Sequence, residues 1–315
     1  MTQSARPLLL ACVFLFSAAV AQGKILPGDV VVVPRGSLVG PLILIDHDTG
    51  LASQLPVALS IRSFDIAIGS RQRIYVITGD HTGANALLEI NAHTLAVTPV
   101  NPSVPFEHAS ALDVDARGNI ILAARLSDSS QVLLRIDPNS GLAEILSSDG
   151  LLSELASVLV LQDGAILASS RVEGIVRIEP ETGDQSLLAS IEELGFPGLG
   201  GALAQTCAGT VLFGVSPDNA AMILDPITGE VQAQLLLPPA SNFQLDLAIS
   251  PEGDLLILGL HGLQRFEFDR LQFEDVVSIH NRLWRMAVMP NRPRLGRRKG
   301  ICSPSGEVGP SSSLS

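Results

Sequence analysis

The chain has 315 residues, 46% of them hydrophobic, with 28 Gly, 20 Pro and a net charge of −12. That length can bury a sizeable core, and the apolar content is almost wholly aliphatic, since aromatic residues make up only 4%. Short aliphatic runs punctuated by Gly and Pro point to an all-β protein, and the acidic balance argues against nucleic acid as the main ligand.

Residues 1–21 stand apart. Arg6 makes the start positive, LLLACVFLFSAAV is an apolar stretch, and Ala-Val-Ala at 19–21 is a small-residue cleavage motif. This reads as an export signal, too short and wrongly flanked for a membrane span. The apolar run continues past Cys12, so cleavage is expected rather than lipidation at that cysteine. Cys207 and Cys302 then remain in the mature chain. Their spacing defines no metal site, and in an oxidising compartment a single disulfide between them is expected. The Asn-x-Ser/Thr acceptor is absent, because Asn101 is followed by Pro.

LLRIDPNSGLAEIL (133–146) sets the local pattern. Asp137 can accept backbone N–H groups two residues on, Pro138 presets the φ of a turn's second position, and Gly141 takes the left-handed conformation that starts a second strand. Near-copies begin at Asp46, Asn91, Glu179, Asp225 and Asp269, at spacings of 45, 46, 42, 46 and 44 residues. A period in the forties with several strands per unit is the signature of a propeller blade. The copies at Asn91 and Asp269 have Leu95 and Gln272 in place of the turn glycine, so those two hairpins are expected to turn differently. DHDTG at 46–50 is not a calcium loop: counted from Asp46, positions six and twelve hold Leu51 and Val57 rather than Gly and Glu.

A strand–turn–strand landmark precedes each later hairpin, at 65–76, 111–122, 157–167, 202–212 and 246–257. Each blade therefore reads as four strands. GDVVVVPRGSLVGPLILIDHDTG lacks the first of its four, while LWRMAVMP (283–290) is a first strand with nothing after it. Pairing 283–289 with 29–33 completes a sixth blade and leaves no sheet edge open. The expected organisation is an export signal (1–21), a six-bladed all-β propeller (22–290), and a basic, then Ser/Gly-rich tail (291–315). GFPGLGG (195–201) is a connecting loop.

The repeat resembles the NHL, YVTN and SMP-30/gluconolactonase-like group of six-bladed propellers, with RIYVITGD at 73–80 like a YVTN-type strand. That resemblance covers 25–290 and implies a metal-dependent lactonase, a lyase or a non-catalytic binding module. The lactonases place a metal-binding Glu in the first blade through a Glu-Gly-Pro stretch. Here that region is LPGDVVVV, and the chain has no Glu before Glu89.

Aligning the innermost strands gives a ring of Asp65, Ala111, Ser157, Ala202, Asp246 and Arg285 at the channel mouth. Its charged members fall in circularly adjacent blades, where one guanidinium fork can satisfy two carboxylates. The cluster is read either as a stitch at the closure seam or as a ligand-binding site at the axis. His81 and His261 are placed in loops between second and third strands, and His108 and His280 in connections between blades. All four belong to one face, as loop histidines available for binding or proton transfer. The reading is a secreted or periplasmic, monomeric propeller that binds a small molecule, glycan or protein. It does not span a membrane, bind nucleic acid or carry a cofactor. The alternative is a lyase or lactone hydrolase at the channel mouth, with a loop His as base and a divalent metal required only in that case. A third reading is an interaction protein held at the cell surface by its basic tail.

Overall fold

The computed structural model describes residues 25–34, 40–46, 49–59, 62–69, 72–79, 85–195, 201–215, 220–237, 246–259, 262–278 and 283–289. Among them, six four-stranded antiparallel sheets form. Five are contiguous in the chain, at 62–100, 108–148, 155–190, 203–236 and 246–278. The first sheet is composite: Leu283–Val288 lies beside Val30–Pro34, followed by Gly40–Ile45 and Ala52–Leu59. The first strands of the sheets, Arg62–Gly69, His108–Val114, Leu155–Val160, Leu203–Gln205, Asp246–Ile249 and Leu283–Val288, touch one another in an unbroken ring. The chain is a six-bladed β-propeller.

Closure follows the expected pairing. Val30 stands opposite Val288 and Val32 opposite Met286, and the register shifts only before Pro34. A proline has no N–H to give to a ladder, so a strand end is where it is tolerated. Beyond the strands, the Met289 N–H donates to Asp29 O at 2.9 Å, which prolongs the seam.

The core explains why the sequence shows continuous apolar runs rather than alternation. Each of the six hydrophobic clusters lies between two neighbouring blades, so a middle strand buries both faces. Val30 to Val33 and Ile120 to Ala123 are all within 1% of full burial, and burying such a side chain contributes roughly 1.5–3 kcal/mol. Outermost strands face water instead, and four of the six residues of Val231–Leu236 in succession are exposed.

Turn chemistry fixes how blades approach each other. At Asp137 the carboxylate accepts the Asn139 N–H (2.9 Å) and the carbonyl accepts the Gly141 N–H (2.8 Å). Gly141 and Gly183 have φ of 71° and 74°. A Cβ on Gly183 would stand 2.0 Å from Leu146 O of the preceding blade. The glycine thus serves two needs, the left-handed backbone and the close approach of a neighbouring strand. Arg135 and Arg177 add stitches the other way, donating to Pro180 O (3.1 Å) and Pro226 O (3.2 Å) of the next blade's turn.

Three local readings change. The hairpin at Asn91 turns like the others, with Leu95 itself at φ 57° and its N–H donated to Asn91 O. In the sixth blade the turn begins at Glu267, paired with Gln272, and Leu271 takes the left-handed position at φ 52°. The anchor is therefore two residues earlier than Asp269. Leu95 lies against the cluster between the first and second blades, whereas Leu271 is 76% exposed and takes the left-handed position without such packing. Before the Gly-rich loop, Ile191–Leu194 forms one helical turn, with a capping box between Ser190 and Glu193 and Gly195 as its left-handed cap. Residues 1–24 and 290–315, on which the expected signal and tail fall, lie outside the described residues.

Gly183 and Gly164 separate the two needs. Gly164 has φ 92° and nothing within 4 Å of where a Cβ would stand. Gly164→Ala is expected to cost about 1 kcal/mol for backbone strain, whereas Gly183→Ala must also push two blades apart and should cost roughly 3 kcal/mol in all. Thermal melting of both variants checks this, and equal losses would show that blade approach is not limiting.

Candidate functional site

The ring positions converge as the alignment indicated. Arg285 sits on the closing strand with its Nε 3.7 Å from Asp65 Oδ1 of the second blade and its Nη1 3.6 Å from Asp246 Oδ1 of the sixth. Its Nη2 donates to Ala156 O at 2.8 Å. Ala156 belongs to the fourth blade, which in a ring of six faces the first. The guanidinium therefore reaches across the axis and bars the channel at the end where the inner strands begin.

Both carboxylates are committed to neighbouring blades. Asp65 Oδ2 accepts the Leu112 N–H (2.8 Å), and Asp246 Oδ2 accepts the Met286 N–H (2.8 Å). Each is only 8% exposed. Asp113, two residues beyond the ring position Ala111, does the same, accepting the Val160 N–H of the fourth blade and the Val114 N–H, both at 2.7 Å. Gln205 Oε1 accepts the Gln162 N–H at 2.9 Å. Side chains on inner strands thus bond to the backbone of the adjoining blade at four of the ring's junctions among the described residues.

Asp113 was missed because the alignment followed one position per blade. The signal was present: an acid between Leu112 and Val114, in a strand otherwise fit for burial, asks for a partner inside. Behind Arg285 lies a cavity of about 350 Å³ lined by all six inner strands, with Asp65, Asp113, Asp246, Arg285, Gln162 and Gln205 on its largely polar wall.

One guanidinium faces two of these acids, Asp65 and Asp246, while Asp113 is held by backbone amides alone. Burial pushes Asp246 up to about 7; Arg285 opposes this and Asp65 adds to it. Burial likewise raises Asp113 to about 6, against the amide bonds of Val160 and Val114. Asp65 is raised by burial and held down chiefly by Arg285.

The other expected site residues lie elsewhere. His108 is the first residue of its strand rather than part of a connection, opposite Arg125 and edge-on to the Phe64 ring at 6.1 Å. Burial, and then the Arg125 charge, lowers its pKa, which favours the neutral imidazole. His81, His261, His280 and Cys302 lie outside the described residues. Cys207, in the turn between the first two strands of the fifth blade, is disulfide-bonded. Among the described residues no three His, Cys, Asp or Glu side chains are grouped to hold a metal ion, and no helix is long and apolar enough to cross a membrane.

No family model and no curated protein matches the chain. Solved structures do. A chain of a nidogen–laminin complex is similar over 83% of this chain and 98% of its own, at 11% identity and a TM-score of 0.68. TolB from Acinetobacter baumannii is similar over 85% and 68%, at 16% identity and a TM-score of 0.64. A gluconolactonase from Xanthomonas campestris is similar over 84% and 90%, at 14% identity and a TM-score of 0.55. At these identities the likeness is one of fold, and the fold hosts both protein-binding and catalytic members.

The raised acids make stability depend on pH. Asp246 moves from an ordinary 3.8 to about 7, so the folded state holds its proton more tightly than the unfolded chain does. That contribution is fully present below about 3.8 and is lost as pH rises through about 7. The melting temperature should therefore fall between pH 5 and pH 8, on the order of 5 °C. Asp246→Asn keeps an acceptor for the Met286 N–H without titrating, and should flatten that slope. An unchanged slope in the variant would show that Asp246 does not set it.

Proposed function

We propose that the chain is an exported, non-catalytic propeller that serves as a binding or interaction scaffold, engaging its partner through its faces rather than through channel chemistry. One observation carries the reading. The polar groups best placed for a catalytic channel spend their hydrogen bonds on the backbone of other blades, Asp65, Asp113 and Asp246 on a neighbouring one and Arg285 on the one opposite. A general base must reach a substrate proton, and these carboxylates already accept amide protons that closure needs. A protein partner fits this reading best, and the nidogen–laminin structure provides a precedent for a propeller within a protein complex.

Export belongs to the same proposal. The pattern of residues 1–21 supports it, as does a disulfide at Cys207, since such bonds persist in oxidising compartments. The forty-odd-residue repeat and the RIYVITGD strand support placing the chain near the NHL, YVTN and gluconolactonase-like propellers.

Activity assays decide between scaffold and enzyme. Purified mature chain, given an aldonolactone with added calcium, magnesium or zinc, should leave ring opening at the uncatalysed rate and its own melting temperature unchanged. Saturable, metal-dependent turnover that Asp246→Asn abolishes would overturn the proposal.

A further inference from the structure

Apart from the axial channel, the fifth and sixth blades enclose a groove of about 570 Å³. Ile223 and Phe268 give it an apolar floor, and Glu252, Asp254, Glu267 and Asp269 line it with negative charge. Arg270, 2.9 Å from Glu267, is the lining residue that offsets them. Cys207 stands at the groove and is disulfide-bonded. The chain has two other cysteines, Cys12 in the expected export signal and Cys302 in the basic tail.

We propose that segment 292–302 of this chain lies in that groove, tethered by a disulfide between Cys302 and Cys207, and so forms a strap across the fifth and sixth blades.

Reach permits it. Met289 ends the closing strand at the end where the other inner strands enter their turns. The closing strand touches the sixth blade's inner strand, and that one touches the fifth's. The residues from Pro290 to Cys302 extend up to about 40 Å, enough to pass over one blade and arrive at the next. Charge selects this segment as occupant. Arg292, Arg294, Arg297, Arg298 and Lys299 fall within eight residues. Arg297 to Lys299 are three to five residues from Cys302, which keeps them within roughly 10–17 Å of the disulfide. Ile301, beside Cys302, is the apolar residue that the floor of Ile223 and Phe268 accommodates.

Energetics favour the tethered form over free pairing. A single exposed ion pair contributes little, but a tether makes the encounter intramolecular and lets several weak pairs act together. The acids also gain from a cation. Asp254 is raised first by burial, and Glu267, Glu252 and Asp269 push it further up against the pull of Arg265.

Two readouts on the full mature chain, purified without reductant, test the strap. Peptide mapping should recover Cys207 joined to Cys302 in a monomer. Trypsin should then cut after Arg297, Arg298 and Lys299 about tenfold more slowly than in a Glu252→Gln/Asp254→Asn/Asp269→Asn variant whose disulfide remains intact. In case that variant fails to fold, 0.5 M salt on the unaltered chain screens the same pairs and should speed the same cuts. Equal cutting with and without salt would overturn the proposal. So would free thiols or a disulfide-linked dimer, the latter of which would give the groove to a second copy.

Discussion

The strand Leu283–Val288 must pair with Val30–Pro34 before the first blade can complete its interfaces with the second and the sixth, and closure of the ring depends on that pairing. Six hydrophobic clusters each need two blades, so an open ring leaves two apolar blade faces in water as well as two sheet edges unpaired. Arg285 sits on that strand and touches the second, fourth and sixth blades at once. One side chain thereby ties the closing strand to both neighbours and to the blade opposite. Asp65 and Asp246 have the same double use, holding the guanidinium with one oxygen and a neighbouring amide with the other.

This double use bears on how the channel is interpreted. Buried acids around an axis resemble a catalytic site when viewed as side chains alone. Viewed with their amide partners, they form a ladder of side-chain-to-backbone bonds that substitutes for the sheet hydrogen bonds inner strands cannot make across a blade boundary. Raised pKa values follow from the same arrangement, because burial disfavours the charged form of all three acids and Arg285 offsets it only at Asp65 and Asp246. Perturbed acids mark functional sites only in part, since structural networks perturb them too.

Much of this was legible in the sequence, and the parts that were not have physical reasons. The blade period, the composite first blade and the convergence of Asp65, Asp246 and Arg285 all follow from one turn motif repeated six times. Asp113 escaped because it lies two residues from the aligned position, and the ring's geometry, not its sequence, brings it beside Val160. The turns at Leu95 and Leu271 escaped because glycine is the usual but not the obligatory left-handed residue; Leu95 packs against a core cluster there, while Leu271 stands exposed. The sixth repeat was placed two residues late because an Asp drew the alignment past Glu267. Ile191–Leu194 is too short for its capping box to outweigh a Gly-rich context.

Late closure also governs how the chain acquires its structure in time. The strand that completes the first blade is the last strand of the fold, separated from its partner by some 250 residues. As ribosomes release about 5–20 residues per second, the first blade waits many seconds for its missing strand. Contacts that join distant parts of a chain are slow to form in any case. A chain emerging from its N-terminus therefore stays incomplete until almost all of it has been made. That delay is built into the order of the strands.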